Sequence, residues 1–313
     1  MKILVAPLNW GLGHASRCVP LVQRLLDEGH EVVLGGDGDS LTLLRKDFPK
    51  LRYTYLAPLN LRYSAGHRQV WTMIKAMPKL IIWSIKDHAF LDAILREESF
   101  DQVISDNRFG LYNKHVESIY VTHQLHIKLP YGWKWAEKVA SRIHAYVYAR
   151  FNKVWVPDYA EPERSLSGDL GHPGALVEYI GPLSRFAGIP EYQNTGLNYS
   201  VVAVLSGLEP HRTILEQQII ARYEKTDEPV LIVQGLMSRP NTRIKRNNIT
   251  LVPYMTDDEL AVALQGATHI IARSGYSTIM DFHQLDILNK AELIPTPGQP
   301  EQEYLATLYD KNN

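Results

Sequence analysis

The sequence predicts an α/β protein built from two Rossmann-like domains that face each other across a cleft. Short apolar runs alternate with longer amphipathic segments, which is typical of α/β proteins. The length of 313 residues is about twice that of an ordinary domain. A stretch rich in proline and glycine, 161–198, separates two such series and indicates an inter-domain connection.

The first series covers residues 1–160 and forms the N-terminal domain. Its apolar runs predict strands at 2–7, 31–35, 51–56, 101–105, 119–123 and 153–157. A helix from about Ala15 to Glu28 connects the first two strands. A strand–helix–strand unit of this kind implies a parallel sheet.

The second series covers residues 199–313 and forms the C-terminal domain. It predicts strands at 200–205, 230–234, 249–252 and 269–272, and helices near 211–223, 257–265, 277–285 and 300–309. The chain ends soon after the last of these segments. We therefore expect little chain to remain for a further helix that returns to the first domain.

The amino-acid composition limits the classes of protein to which the chain can belong. Hydrophobic residues make up 45% and charged residues 21%, as in globular proteins. The single cysteine, Cys18, excludes an internal disulfide framework and fits a reducing compartment. No apolar run approaches the ~18 residues of a membrane span, and the N-terminus runs directly into the first strand. We therefore expect a cytoplasmic protein.

Two stretches of the first domain are basic. Five basic residues and no acid lie in 62–86, and six basic residues face only Glu137 in 128–153. Each stretch is either a solvated helix face or a surface that meets anionic lipid headgroups or an anionic acceptor. The net charge of −1 argues against a nucleic-acid partner.

A glycine loop follows the first strand. Gly11 and Gly13 permit a tight turn, after which a helix N-terminus offers free N–H groups to a ligand. Ser16 replaces the third glycine of a dinucleotide fingerprint, which disfavours NAD. His14 follows the carboxyl end of a strand, where it can take a proton from a hydroxyl group. With Arg17, these residues form the candidate acceptor-side loop.

A carboxylate follows another strand of the same domain. Asp106 ends the apolar run Val103–Ser105 and can point into the same cleft to orient His14. The alternative is an ordinary loop or helix-capping aspartate.

A loop of small and hydroxyl-bearing residues follows the strand at 269–272. It suits a diphosphate at the N-terminus of the next helix, with Asp281 placed to accept hydrogen bonds from ribose hydroxyls. The candidate residues are Arg273, Ser274, Gly275, Ser277, Thr278 and Asp281. The alternative is a well-capped helix with an ordinary acid in its first turns.

A proline-rich loop opens the last helix. Gln299, Gln302 and Glu303 carry the amide and carboxylate groups that bind sugar hydroxyls. A separate pair of acids, Asp37 and Asp39, has the spacing that holds a divalent cation in another class of transferase. Here the pair follows the second strand, where a polar loop is expected, so we predict no metal site.

The glycine loop and the two C-terminal motifs together resemble the GT-B glycosyltransferase family that includes the bacterial peptidoglycan GlcNAc transferase. The resemblance spans nearly the whole chain and is most specific in 265–305. It implies an acceptor-facing N-terminal lobe and a C-terminal lobe that binds a UDP-sugar. The implied contacts are Ser274 and Gly275 with the diphosphate, Asp281 with the ribose, Gln302 and Glu303 with the sugar, Tyr254 and Met255 beside the base, and Arg185 near a phosphate.

One segment departs from the pattern of that family. The loop after the first strand of the C-terminal lobe begins Ser206-Gly207 but continues with Glu209-Pro210, which bind phosphate poorly. We expect Arg212 and Thr213 to substitute in this loop.

The resemblance implies sugar transfer with inversion, with His14 as the base and no metal or cofactor. The acceptor is expected to be a carbohydrate or lipid-linked hydroxyl compound of the cell envelope, used at the inner face of the membrane. Two alternatives remain: a sugar-nucleotide 2-epimerase of the same fold, and a non-catalytic protein that binds sugar nucleotides.

Overall fold

The computed structural model describes residues 1–59, 69–171, 177–189, 199–207 and 209–310, with the side chains of 69–76 and of Tyr131 left aside. Parts of two segments discussed above lie outside this description: Arg62 and Arg68 of the basic stretch 62–86, with the side chain of Lys75, and Leu208 of the loop after β8.

The N-terminal lobe is a seven-stranded parallel sheet with helices on both faces. Its strands run in the order β3-β2-β1-β4-β5-β6-β7. They are β1 (Lys2–Pro7), β2 (Glu31–Gly36), β3 (Arg52–Tyr55), β4 (Gln102–Asp106), β5 (Glu117–Val121), β6 (Lys153–Val156) and β7 (Val177–Tyr179). The helices are α1 (Gly13–Asp27), α2 (Gly38–Asp47), α3 (Gln69–Glu97) and α4 (Glu137–Tyr148).

The C-terminal lobe is a six-stranded sheet in the order β10-β11-β9-β8-β12-β13, in which only the edge pair β10–β11 is antiparallel. Its strands are β8 (Val201–Val204), β9 (Val230–Val233), β10 (Ile244–Arg246), β11 (Ile249–Val252), β12 (His269–Arg273) and β13 (Ala291–Ile294). Its helices are α5 (His211–Tyr223), α6 (Asp257–Gly266), α7 (Tyr276–Gln284) and α8 (Pro300–Leu308).

The central strands are continuous apolar runs because helices cover the sheet on both faces. In β1 the residues 3–6 are fully buried, and β9 reads Val-Leu-Ile-Val with every side chain buried. This confirms the fold class predicted from the sequence, two α/β lobes with parallel sheets.

The two lobes share one hydrophobic cluster. It contains Ala15 and Leu21 of α1 together with Ile279 and Met280 of α7. The carboxyl ends of the strands of both sheets therefore meet at this contact, which is where open α/β sheets carry their sites.

Two segments differ from the expected organisation. Strand β7 lies inside the predicted connection 161–198 and extends the first sheet. Helix α8 and the residue after it contact the segment between β6 and β7, which was predicted as part of the inter-domain connection. The Tyr309 hydroxyl donates to the Leu166 carbonyl oxygen at 2.9 Å, and the Asp169 N–H donates to the Tyr304 hydroxyl at 2.8 Å.

Candidate functional site

The predicted pair of His14 and Asp106 is present where the two lobes meet. His14 is the second residue of α1, which follows β1, and Asp106 is the last residue of β4. Strands β1 and β4 are parallel neighbours, so both residues lie at the same edge of the sheet. The Nδ1 atom of His14 lies 2.7 Å from Oδ1 of Asp106. The register of two adjacent strands therefore brings together residues separated by 92 positions.

Arg17 completes this pair from inside the lobe. It lies one turn after His14 in α1 and is buried, and its Nε donates to Oδ2 of Asp106 at 2.5 Å. Its Nη2 atom donates to Oδ1 of the same carboxylate. Arg17 was expected on the acceptor side of the glycine loop, but the structure makes it the buried counter-ion of Asp106.

The charges of this cluster fix the state of each member. Burial alone would raise the pKa of Asp106, but Arg17 and His14 outweigh burial and lower it. Burial lowers the pKa of His14, and the attraction of Asp106 opposes this only in part. Nδ1 of His14 also lies 3.0 Å from Arg17 Nη2. Because the ionised Asp106 carboxylate is nearer and can only accept, Nδ1 carries the hydrogen, which leaves the Nε2 lone pair of the neutral ring available as a base.

The sequence reasoning missed His123 and Glu301, which extend the cluster into the C-terminal lobe. Arg17 Nη1 lies 3.1 Å from Nδ1 of His123, and because arginine only donates, this nitrogen accepts. His123 Nε2 then donates to Oε1 of Glu301, the second residue of α8, at 2.8 Å. The rings of His123 and Tyr276 stack with centroids 4.2 Å apart.

A signal for His123 was present in the sequence. It lies just past the carboxyl end of β5, the same kind of position that identified His14 and Asp106. Its predicted strand was drawn two residues too long, through residue 123, which placed His123 inside the sheet. Glu301 could be identified only from its contact with His123, because its neighbours Gln302 and Glu303 carry groups that bind sugar hydroxyls equally well.

The glycine loop and the start of α7 touch each other. The Ser277 hydroxyl donates to the Gly13 carbonyl oxygen at 2.8 Å. A Cβ atom added at Gly13 would lie 3.1 Å from that hydroxyl, and one at Gly11 would lie 3.7 Å from the Cα of Gly207. Glycine at position 13 therefore permits close approach of the two lobes, whereas position 11 favours glycine because its φ is 79°.

The predicted phosphate loop is held by both neighbouring loops. The Ser274 hydroxyl donates to the Gln302 carbonyl oxygen, and Gly275 and Thr278 are half-buried at the start of α7. Arg273 donates from Nη1 to the Pro295 carbonyl oxygen and from Nη2 to that of His211. Its buried Nε has no hydrogen-bond partner, and burial lowers the pKa of the guanidinium.

Asp281 and Arg185 contact each other. Asp281 is buried and accepts from the Ser184 hydroxyl at 2.7 Å and from Arg185 Nε at 3.2 Å. Arg185 also pairs with Asp257 at 3.2 Å. Burial raises the pKa of Asp281 although Arg185 opposes it. Arg185 was expected near a phosphate, and here its guanidinium faces two carboxylates.

Other predicted donor residues have partners within the protein. Arg212 pairs with Glu209 at 2.7 Å and Glu216 at 2.6 Å and donates to the Thr213 hydroxyl. Two acids therefore neutralise the guanidinium that was expected to substitute in the loop after β8. Ser206 in that loop is half-buried.

Of the two residues expected beside the base, Tyr254 is half-buried and Met255 is buried. Lys46 of α2 lies 3.7 Å from the ring centroid of Tyr254 and donates to the Met237 carbonyl oxygen. Met255, in contrast, is buried in the core of the C-terminal lobe. Its side chain therefore packs in the core, and its place beside the base stays a prediction.

The residues expected at the sugar stabilise their own loop. Gln302 Oε1 accepts from the Thr296 N–H at 2.8 Å, and Glu303 Oε1 accepts from the Gly298 N–H at 3.0 Å. Gln299 is the half-buried residue that precedes α8.

Asp37 of the paired acids is part of a buried ion pair. Its carboxylate accepts from Arg108 at 2.9 Å and from the Asn9 side-chain amide at 3.0 Å. Across the described part of the chain, no group of three or more His, Cys, Asp or Glu side chains is arranged to hold a metal ion. The described helices likewise include none that is both long and apolar enough to cross a bilayer.

Comparison with known proteins gives the fold a wider context. No family model matches the chain. An uncharacterized glycosyltransferase of Methanosarcina acetivorans is 24% identical over 99% of this chain and 84% of its own length. One from Methanosarcina mazei is 21% identical with the same coverage.

Solved structures of glycosyltransferases share the architecture. The spinosyn rhamnosyltransferase SpnG in complex with thymidine diphosphate has a TM-score of 0.58 at 13% identity, covering all of this chain and 87% of that one. Acinetobacter baumannii MurG has a TM-score of 0.50 at 11% identity, covering 97% and 82%. The chain therefore has the GT-B fold, and the resemblance predicted from its motifs is confirmed.

Proposed function

We propose that this chain, which has the GT-B fold, is a glycosyltransferase that moves a sugar from a UDP-sugar to a hydroxyl acceptor with inversion. The observation that carries the proposal is the position of His14, whose Nδ1 lies 2.7 Å from Asp106 and whose neighbour Gly13 accepts a hydrogen bond from Ser277 at the start of α7. A base and an anion-binding helix N-terminus on opposite lobes are the two parts that such a transfer needs.

In the proposed reaction, Nε2 of His14 takes the proton of the acceptor hydroxyl. The acceptor oxygen bonds to the anomeric carbon as the bond from that carbon to the diphosphate oxygen breaks. The leaving nucleoside diphosphate keeps the electron pair, and the N–H groups at the start of α7 stabilise its charge. Attack opposite the leaving group inverts the anomeric centre. No metal or cofactor is part of this proposal.

The donor is proposed to bind the C-terminal lobe. In the donor complex, the ribose hydroxyls would replace Ser184 and Arg185 as the hydrogen-bond donors to the Asp281 carboxylate. Arg273, whose Nε has no partner, lies directly before the phosphate loop. The sugar would lie near Gln302, Glu303 and the newly identified Glu301.

The acceptor is proposed to be a carbohydrate or lipid-linked molecule that enters from the N-terminal lobe. A cavity of about 560 Å³ lies between α4 and the segment that follows β5. Lys128, Lys138 and Arg142 line it with Glu137 and Asp169, so its lining carries excess positive charge. Such a cavity suits an anionic acceptor of the cell envelope, used at the cytoplasmic face of a membrane.

The first experiment is calorimetry with UDP, UDP-GlcNAc, UDP-galactose, thymidine diphosphate, GDP-mannose and NAD. We expect selective binding of a uridine nucleotide and at least about tenfold weaker binding in Asp281→Ala, because the ribose loses a buried acceptor. Asp258→Ala, an exposed acid on α6, is the matched control. Preference for another nucleotide would overturn the assignment of a UDP-sugar as the donor. Binding of none of these nucleotides would overturn the proposed donor site itself.

The 2-epimerase remains a second candidate because His123 and Glu301 supply an acid–base pair near the expected sugar. Product analysis of the UDP-sugar without acceptor separates the two reactions. An epimerised sugar nucleotide would favour the epimerase, and UDP release that depends on an added hydroxyl compound would favour transfer.

A further inference from the structure

One face of the N-terminal lobe exposes many large apolar side chains. Of the fifteen exposed in the described part of the chain, nine lie on α3, on α4 and on the 3₁₀ turn Tyr131–Ala136 that precedes α4. They are Met77, Ile81, Ile82, Ile85, Phe90, Trp135, Val139, Ile143 and Tyr146. We call this set the apolar surface.

The spacing of these residues places them on the outer side of their helices. In α3, Leu80, Trp83, Asp87 and Leu91 face the core, while Ile81, Ile82 and Ile85 face outward, with Ile85 63% exposed. In α4 no side chain is fully buried. Trp135, Val139, Ile143 and Tyr146 follow at intervals of four, four and three residues, and Trp135 is 75% exposed.

The two helices are neighbours in the N-terminal lobe. Phe109 contacts the ring of Trp83 on α3 and the ring of His144 on α4, with centroids 6.3 and 6.1 Å away. Both helices therefore cover the same loop after β4. An apolar surface of this extent on a globular lobe indicates a contact with a partner.

The charges that surround the apolar surface are mostly positive. Lys79 and Lys86 on α3 and Lys138 and Arg142 on α4 are exposed. The nearby acids are engaged elsewhere: Asp87 is buried against Arg108, and Glu137 accepts from the Leu129 N–H at 3.0 Å. A second copy of the chain docked on this face would bring cations against cations.

We infer that the apolar surface docks the protein on an anionic lipid bilayer, with α3 and α4 lying in the headgroup region. Apolar and aromatic side chains beside lysine and arginine are the composition of helices that lie in that interface. The inference specifies the membrane contact suggested by the basic stretches, and it does not depend on the proposed transfer reaction.

Vesicle co-sedimentation tests the inference with the full chain. We expect binding to vesicles of phosphatidylcholine with phosphatidylglycerol, much weaker binding to phosphatidylcholine alone, and loss of binding as salt increases. Two double variants, Trp135→Ser with Ile143→Ser and Lys79→Glu with Lys86→Glu, should each weaken binding at least about tenfold. None of these four residues lines the cavity beside α4.

The matched control is Ile244→Ser with Lys245→Glu, an exposed apolar and basic pair on β10 of the other lobe. It should bind as the unaltered chain does, and circular dichroism should show all variants folded. Equal binding to neutral and anionic vesicles, or no effect of the surface variants, would overturn the inference. So would a dimer in light scattering that these variants dissociate.

Quenching by brominated phosphatidylglycerol provides a second readout. Trp135 should contribute most of the quenched fluorescence, so Trp135→Phe should reduce the quenching while vesicle binding persists. Undiminished quenching in this variant would place another tryptophan in the bilayer and would contradict the docking geometry.

Discussion

His14, the proposed general base, is influenced by its burial and by one adjacent carboxylate. Burial favours the neutral imidazole, and the Asp106 carboxylate fixes the Nδ1–H tautomer. Arg17 keeps Asp106 ionised, so the carboxylate orients the ring without taking a proton from it. In the proposed reaction, Asp106 and Arg17 therefore prepare a single nitrogen, Nε2 of His14, to accept a proton.

Replacing His14 by alanine tests this role. We expect kcat to fall by about 10²- to 10⁴-fold, the usual contribution of a general base. Calorimetry should show unchanged donor binding, because His14 lies on the other lobe. His115→Ala, an exposed histidine of the same lobe, is the control. Full activity in His14→Ala would remove the proposed base.

The pH dependence of kcat/KM tests the protonation state of His14. The base acts only when neutral, so activity rises with pH through its folded pKa and then levels off. Because burial lowers that pKa from its ordinary value of 6.5, the acidic limb should lie below pH 6.5. In His14→Ala this limb should be absent. A limb above pH 6.5 would contradict the neutral, buried imidazole.

At the level of elements, one buried arginine connects two helices to the first sheet. Arg108 pairs with Asp87 of α3 at 2.6 and 2.9 Å and with Asp37, which precedes α2, at 2.9 Å. It also donates to the Ala57 carbonyl oxygen. Removing one partner of such a group leaves buried charges without compensation, which costs more than the pair contributes.

Arg108→Met should therefore lower the free energy of unfolding by about 3 to 5 kcal/mol, measured by urea denaturation. The exposed Arg164, which pairs with Glu161 at 3.9 Å, is the matched control. Arg164→Met should cost no more than about 1 kcal/mol. Equal effects of the two substitutions would show that the buried network does not stabilise the lobe.

At the scale of the whole molecule, the two lobes meet through charges as well as through the shared apolar cluster. Asp47 at the end of α2 lies near Asp257 of α6, with Arg185 close to both. Asp47 is exposed at the surface, but its partial desolvation, and then the repulsion of Asp257, raises its pKa to about 6. This lobe contact is therefore weaker when Asp47 is ionised.

The sign of the pH effect follows from the raised pKa. The contact is fully stable below the ordinary aspartate pKa of 3.8 and loses stability as pH rises through about 6. Asp47→Asn should therefore raise the melting temperature at pH 7.5 and lose this advantage at low pH. Asp227→Asn, an exposed acid, should do neither. A lower melting temperature for Asp47→Asn at pH 7.5 would contradict the repulsion.

The sequence alone determined the α/β class, the parallel sheets and most strands, because buried parallel strands are continuous apolar runs that local patterns reveal. Helix α5 was predicted with its observed bounds, 211–223. For α3, a solvated helix face in 62–86 was one of two alternatives, and no bounds were predicted, because the exposed apolar residues of this helix weaken its amphipathic contrast. His14 and Asp106 were identified because they lie at or just after the carboxyl ends of parallel strands, and His123 has the same kind of position.

Only the tertiary structure decided which charged groups meet. Arg17, His123 and Glu301 come from α1, the end of β5 and α8, and no local pattern links them. Sequence reasoning assigned Arg17, Arg185 and Arg212 to ligands, whereas the fold pairs each of them with a carboxylate. A charge buried without a partner is costly, so the partner is chosen by the packing of distant elements and not by the neighbours in the chain.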